Sequence, residues 1–143
     1  MHSPQKHVDS NRLNGMGGKV EHGEHFLDAA VRETHEEIGI QIPKENFSFL
    51  GIDHLYQGRG VDWVCAFFIA PILGKRFADV HIPAIDGELI WMTAQEFESS
   101  RHDPVDDLRF IWRYILQKKK FIFSLSYVPD QKAISFHIDK VTL

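Results

Sequence analysis

Residues 24 to 38 are built to form a helix and are then loaded with acids. From Glu24 to Ile38 there is no Gly or Pro, and Leu27, Val31, Thr34 and Ile38 recur at helical spacing. This predicts an amphipathic helix stopped by Gly39. A helix advances about 100° per residue. With Glu33 set at zero, Glu37 lies near about 40° and Glu36 near about −60°. Leu27, Val31, Thr34 and Ile38 fall on another side, between about 100° and 160°. The helix must therefore bury one side against a second layer and keep a neighbouring carboxylate face open. Most runs of Glu are solvated faces. Acid pairs at i,i+3 and i,i+4 nonetheless cost roughly 0.2–0.5 kcal/mol each. Hard oxygen donors crowded in this way are what Mg²⁺ or Mn²⁺ selects, and the cation cancels the repulsion. Gly15, Gly17, Gly18 and Gly23 precede the helix. Such a loop can bring backbone groups to the same space, next to a helix N-terminus that favours anions. Arg32, four residues before Glu36, can orient a carboxylate.

The rest of the chain supplies the second layer. "FSFLGIDHLYQ" and "VDWVCAFFIAPIL" flank "GRG" and predict a hairpin. "ELIWM" reads as a short strand. "TAQEFESS" reads as a capped helical turn, with Thr93 at the cap and Glu96 three residues on. "PVDDLRFIWRYILQKK" reads as a second helix, with acids first and lysines last. "KFIFSLSYVPDQKAISFHID" reads as a closing hairpin around "PDQK". Residues 1–14 read as a polar arm or loop. This order predicts a single α/β (α+β) domain over residues 1–143, with helices packed on a mixed or antiparallel sheet.

Composition excludes several classes. The net charge of −4 and the lack of a basic run argue against a stable nucleic-acid partner. No signal peptide is visible, and no apolar run is long enough to span a bilayer, so no membrane partner is expected. Cys65 is the only cysteine, which excludes an internal disulfide and points to the cytoplasm. It is read as core, as are Trp63 and Trp91.

The stretch resembles the Nudix box: Gly, five residues, Glu, seven residues, Arg-Glu, an apolar residue, any residue, Glu-Glu, any residue, Gly, apolar. Gly18, Glu24, Arg32, Glu33, Glu36, Glu37, Gly39 and Ile40 match in register, so the box covers 18–40. Thr34 departs where the family has an aliphatic residue, on the buried side. Seven fixed identities would match a random window roughly once in 10⁸, which sets the solvated-face reading aside. The resemblance implies an α/β/α sandwich and a hydrolase that cleaves a nucleoside diphosphate linked to some group X, using Mg²⁺ or Mn²⁺. By analogy Glu33, Glu36 and Glu37 hold the metals with a backbone carbonyl of Gly17. One of the glutamates, or an acid from a later loop, activates water; Glu36, Glu37 and Arg32 are the catalytic candidates. Glu24 is expected to brace the loop and helix. Asp86, with Glu88 nearby, is expected to add a carboxylate for metal or water.

Outside the box, "LNGMGGKVEHGE" and "LQKKKFIFSLSY" look like enzymes that remove oxidised purine nucleoside triphosphates, the MutT-type 8-oxo-dGTP diphosphatases. That likeness implies a base contact at Asn14, a phosphate contact at Lys19, and a base edge read by Asp106 and Asp107. The tryptophan usually beside those acids is missing, and both Asp residues also suit a helix start. Tyr56, 16 residues after Ile40, matches a feature of dinucleoside polyphosphate hydrolases, and also suits a strand. A non-catalytic nucleotide-binding protein of this fold and an RNA-decapping enzyme are the other readings. His22, His25 and His35 are expected at the surface. Such domains usually place one or two strands before the box. Only 16 residues precede Gly17, so an N-terminal strand is expected to be lacking, with a monomer, or a homodimer that covers the exposed edge.

Overall fold

The computed structural model describes residues 12–57, 62–72, 90–99, 103–127 and 133–142. The main sheet is built from β2 (Ser48–Gln57), β3 (Trp63–Ile69), β5 (Lys120–Tyr127) and β6 (Ala133–Thr142), in the order β3-β2-β5-β6. β2 runs parallel to β5, and the outer pairs are antiparallel. The sheet is therefore mixed, and both predicted hairpins form. A second ladder of two residues a side joins β1 (Arg12–Leu13) to β4 (Asp103–Pro104) in parallel.

Alternation along β5 decides which face is buried. Phe121, Phe123 and Leu125 are buried, whereas Ile122 between them is exposed. They meet Ile111 and Tyr114 of helix α3 (Asp106–Leu116), and Leu50 joins the same cluster. Phe110 of α3 stacks on Phe136 of β6 with ring centroids 4.5 Å apart. Helix α1 (Phe26–Ile38) buries Ala29, Thr34 and Ile38 and packs against β3 and the 3₁₀ turn at Lys44–Asn46. Thr34 offsets the cost of a buried hydroxyl by donating to the Ala30 carbonyl at 2.7 Å. Gly39 ends the helix in the left-handed region, φ 68°, and its N–H reaches the His35 carbonyl.

Helix α2 (Ala94–Glu98) starts with a capping box: the Thr93 hydroxyl accepts from Glu96 N–H, and the Glu96 carboxylate accepts from Thr93 N–H. The Thr93 N–H, then the Thr93 hydroxyl, holds the Glu96 carboxyl below its usual range. Three expectations change. Residues 12 and 13, read as loop, are a strand, because a two-residue ladder is too short to leave a periodicity. Ile90, Trp91 and Met92, read as strand, join no ladder; an apolar run does not supply its own pairing partner. Trp63, read as core, is 40% exposed at the start of β3. The segment preceding Arg12 lies outside the described residues, as do Asp86 and Glu88.

Candidate active site

Arg32 organises the acidic helix. Its guanidinium grips Glu24 in a bidentate pair, Nε to Oε1 at 2.9 Å and Nη2 to Oε2 at 3.0 Å. Nη1 reaches Glu33 Oε1 at 2.8 Å and Glu36 Oε2 at 3.2 Å. Nη2 also donates to the Lys19 carbonyl at 3.1 Å. One cation thus ties three glutamates of the box to the glycine loop. Glu24 in addition accepts the Glu21 N–H at 2.9 Å. The Arg32 hydrogen bond, helped by that N–H, pulls the Glu24 carboxyl down to about 2. The hydrogen bonds to Glu24, then Glu33, raise Arg32 above its already high ordinary value. Glu24 is therefore a permanent anion at neutral pH, spent on holding the loop against the helix.

The glycine loop lies directly on the carboxylates. Gly17 donates its N–H to Glu37 Oε2 at 3.2 Å. Gly18 passes so close to Glu33 that a Cβ there would lie 2.6 Å from Oε2 and closer still to Oε1. Glu33 and Glu37 are half-buried beneath this loop and Glu36 is exposed. The carboxylates do share a face, but their charge is met by Arg32 and by backbone N–H. Among the described residues no three His, Cys, Asp or Glu side chains converge closely enough to hold a metal ion. The donor set still fits a hard divalent cation, because Glu33, Glu36 and Glu37 offer only oxygen, and Glu36 is tied through one long hydrogen bond to Arg32.

The remaining candidates fall into two groups. The loop before the box is pinned to the start of α3. Arg12 Nη2 donates to Asp106 Oδ1 and to the Pro104 carbonyl, both at 2.7 Å, and Arg12 Nε lies 3.3 Å from Asp103 Oδ2. The Val105 N–H closes the ladder on the Leu13 carbonyl at 2.9 Å. Asn14 follows at once, its Oδ1 accepting from Gly15 N–H. Asp106 and Asp107 both lie in the first turn of α3; Val105 is the N-cap. Asp107 Oδ1 accepts the Leu108 N–H at 2.9 Å. The second group lies at the end of the β2–β3 hairpin where β2 finishes and β3 begins. Lys19 Nζ stands 5.5 Å over the Trp63 ring. Tyr56 is exposed against His54, ring centroids 3.9 Å apart, and His54 Nε2 lies 3.2 Å from Asp62 Oδ2. His22, His25 and His35 are exposed.

Sequence reasoning missed Arg12, whose role depends on a partner 94 positions away. It also missed Asp53, a fully buried acid on β2 with both carboxylate oxygens lacking a hydrogen-bond partner. Burial, then the charge of Asp107, pushes the Asp53 carboxyl up to about 7. The only signal was an acid amid the apolar residues of β2.

The mutator MutT protein from Bacillus halodurans has a similar fold, with a TM-score of 0.67 at 23% identity over 86% of this chain and 79% of that one. No curated protein matches the sequence. The family model described as NUDIX domain matches residues 2–114, spanning the glycine loop, Arg32 and all the box glutamates. The chain belongs to the Nudix family, and it is a hydrolase of the pyrophosphate bonds of nucleoside diphosphate derivatives.

Proposed function

We propose that this single-domain protein hydrolyses a purine nucleoside triphosphate, with oxidised purines such as 8-oxo-dGTP as the preferred class, to the monophosphate and pyrophosphate in the cytoplasm. The observation that carries this reading is the reach of one short loop. At Arg12 it is bonded to Asp106 in the first turn of α3, and at Gly17 and Gly18 it meets Glu37 and Glu33. Gly17 is five positions after Arg12, a stretch that spans at most about 17 Å, so one nucleotide suffices to bridge the two ends. In this reading Asn14, Asp106 and Asp107 contact the base and Lys19 a phosphate. Glu33, Glu36 and Glu37, with Gly17 and Asp86, hold Mg²⁺ or Mn²⁺. A divalent ion so bound polarises the attacked phosphorus and lowers the pKa of water. Arg32 fixes the positions of Glu33 and Glu36, and Glu36 or Glu37 takes the proton of the attacking water. The exposure of Tyr56 against His54 supports dinucleoside polyphosphates as a second substrate class, since that ring is available to a second base.

A substrate panel with Mg²⁺ or Mn²⁺ tests this: oxidised and normal dNTPs, diadenosine polyphosphates, ADP-ribose and triphosphate-ended RNA. The expected result is preferential release of pyrophosphate from 8-oxo-dGTP, cut by about 10²–10⁴ in Glu36→Gln and Glu37→Gln. Wild-type turnover in both variants would sink the glutamate assignment. Turnover of diadenosine polyphosphates alone would replace the base reading with the second class, and tight binding without turnover would make the protein a nucleotide sensor.

A further inference from the structure

Asp53 has no task in the site described above. It is 0% exposed. In register it faces Cys65 on β3 and Phe123 on β5. It therefore points to the sheet face that α3 covers, where Phe123 packs against α3 residues. Neither Asp53 oxygen has a hydrogen-bond partner of good geometry, Cys65 being the near neighbour; a carboxylate buried this way is costly, and a neutral carboxyl is far cheaper. Burial and the charge of Asp107 make ionisation worse, and the smaller opposing pull of the Cys65 thiol and backbone does not offset them. In register, β5 sets the Phe123 ring beside it. β3 offers the Cys65 thiol, a weak donor that burial and the Asp53 charge keep protonated. α3 offers Asp107, an acid, and the neighbouring Asp106 is already joined to Arg12.

We infer that Asp53 is a positioning residue for the first turn of α3: as a neutral carboxyl it lets Asp107 and that turn seat on the sheet, and as a carboxylate it pushes the turn away and weakens nucleotide binding. The effect on KM rests on the proposed base contacts of Asp106 and Asp107; the movement of the turn does not. The seat is tuned by burial, which holds the carboxyl neutral up to about 7, and by Asp107. Ionisation thus falls within the range a cell experiences. The linkage has a definite sign. The folded-state value lies above the ordinary 3.8, so the folded chain binds the extra proton between the two. Stability falls as pH rises from about 4 to about 7 and then levels. Loosening of the turn begins at the upper end of that window, where the folded carboxyl itself ionises.

The test uses the full chain, Asp53→Asn and Asp53→Val. Amide hydrogen exchange at residues 109–111, corrected for intrinsic rates, is followed from pH 5.5 to 8.5. The Arg109 N–H, which donates to Val105 in that turn, is the reporter. KM and kcat for 8-oxo-dGTP with Mg²⁺ are measured over the same range. In the wild type, protection is expected to fall by up to about tenfold per pH unit above 7, and KM to rise in parallel with kcat little changed. In Asp53→Asn both stay flat, and Asp53→Val repeats the result if the amide disturbs packing. Flat exchange in the wild type, or the same slope in both variants, overturns the inference. If no nucleotide is turned over but exchange at 109–111 depends on pH only when Asp53 is present, the substrate reading fails and the positioning role stands.

Discussion

Gly18 and Glu33 show how closely this site is set at the scale of single residues. Arg32 holds the Glu33 carboxylate at 2.8 Å, and the backbone of Gly18 fills the space on its other side. A methyl at Gly18 must push either the loop or the carboxylate, and the carboxylate is the softer of the two. Gly18→Ala is therefore expected to lower kcat/KM by at least about 10²-fold, the scale of a 1 Å misplacement, while shifting the melting temperature little. Gly15→Ala is the control, since a Cβ there meets nothing within 4 Å. Equal losses in the two variants would show that the whole loop matters and Glu33 placement does not. The box glutamates and Arg32 were legible in the sequence because their chemistry depends on spacing within one helix. Asp53 was not. Its meaning comes from which face of β2 turns inward, and a strand's register is set by neighbours far along the chain.

Among elements, the smallest ladder carries the most positional information. β1 and β4 pair through only Arg12–Leu13 and Asp103–Pro104, yet they join the glycine loop to α3. Arg12 anchors that junction, about one-fifth exposed on its side chain, as is Asp106. Removing it leaves the Asp106 carboxylate without this ion pair, and the Pro104 carbonyl without its donor. Arg12→Ala is expected to cost about 1 kcal/mol after allowance for solvent screening. It is also expected to raise the KM for 8-oxo-dGTP more than it lowers kcat, because it moves the proposed base-contacting end and leaves the glutamates in place. Urea unfolding with an unchanged m-value checks the first part, and steady-state kinetics the second. A loss of kcat alone would place Arg12 with the phosphate chemistry. Both hairpins, α1 and α3 were readable from alternation and helical spacing over seven or more residues. The β1–β4 ladder was not, since two residues carry no period and the contact spans most of the chain.

At the scale of the whole molecule, the acidic face should make folding stability respond to divalent ions. With Glu36 tied to Arg32 and Glu37 to Gly17, the carboxylates are partly neutralised by the protein itself. A cation must draw Glu36 away from Arg32, the longest of that guanidinium's hydrogen bonds. The exchange is favourable because two positive charges, at oxygen ligands suited to them, replace a shared one. A ligand that binds only the folded chain stabilises it by about 2.7 kcal/mol at one hundred times its Kd and by about half of that at ten times. For a chain of this length each kcal/mol moves the melting temperature by about 2–4 °C. Mg²⁺ or Mn²⁺ at ten to one hundred times its Kd is therefore expected to raise it by about 3–11 °C, reversibly on chelation. Glu36→Gln and Glu37→Gln should lose most of that shift while melting no lower than the wild type without metal, since each removes like-charge repulsion. Asp53→Asn, which alters none of the candidate metal ligands, should keep it in full. A shift of equal size in the glutamate variants would mean that the ion binds elsewhere, and that the crowding on α1 serves only to hold Arg32.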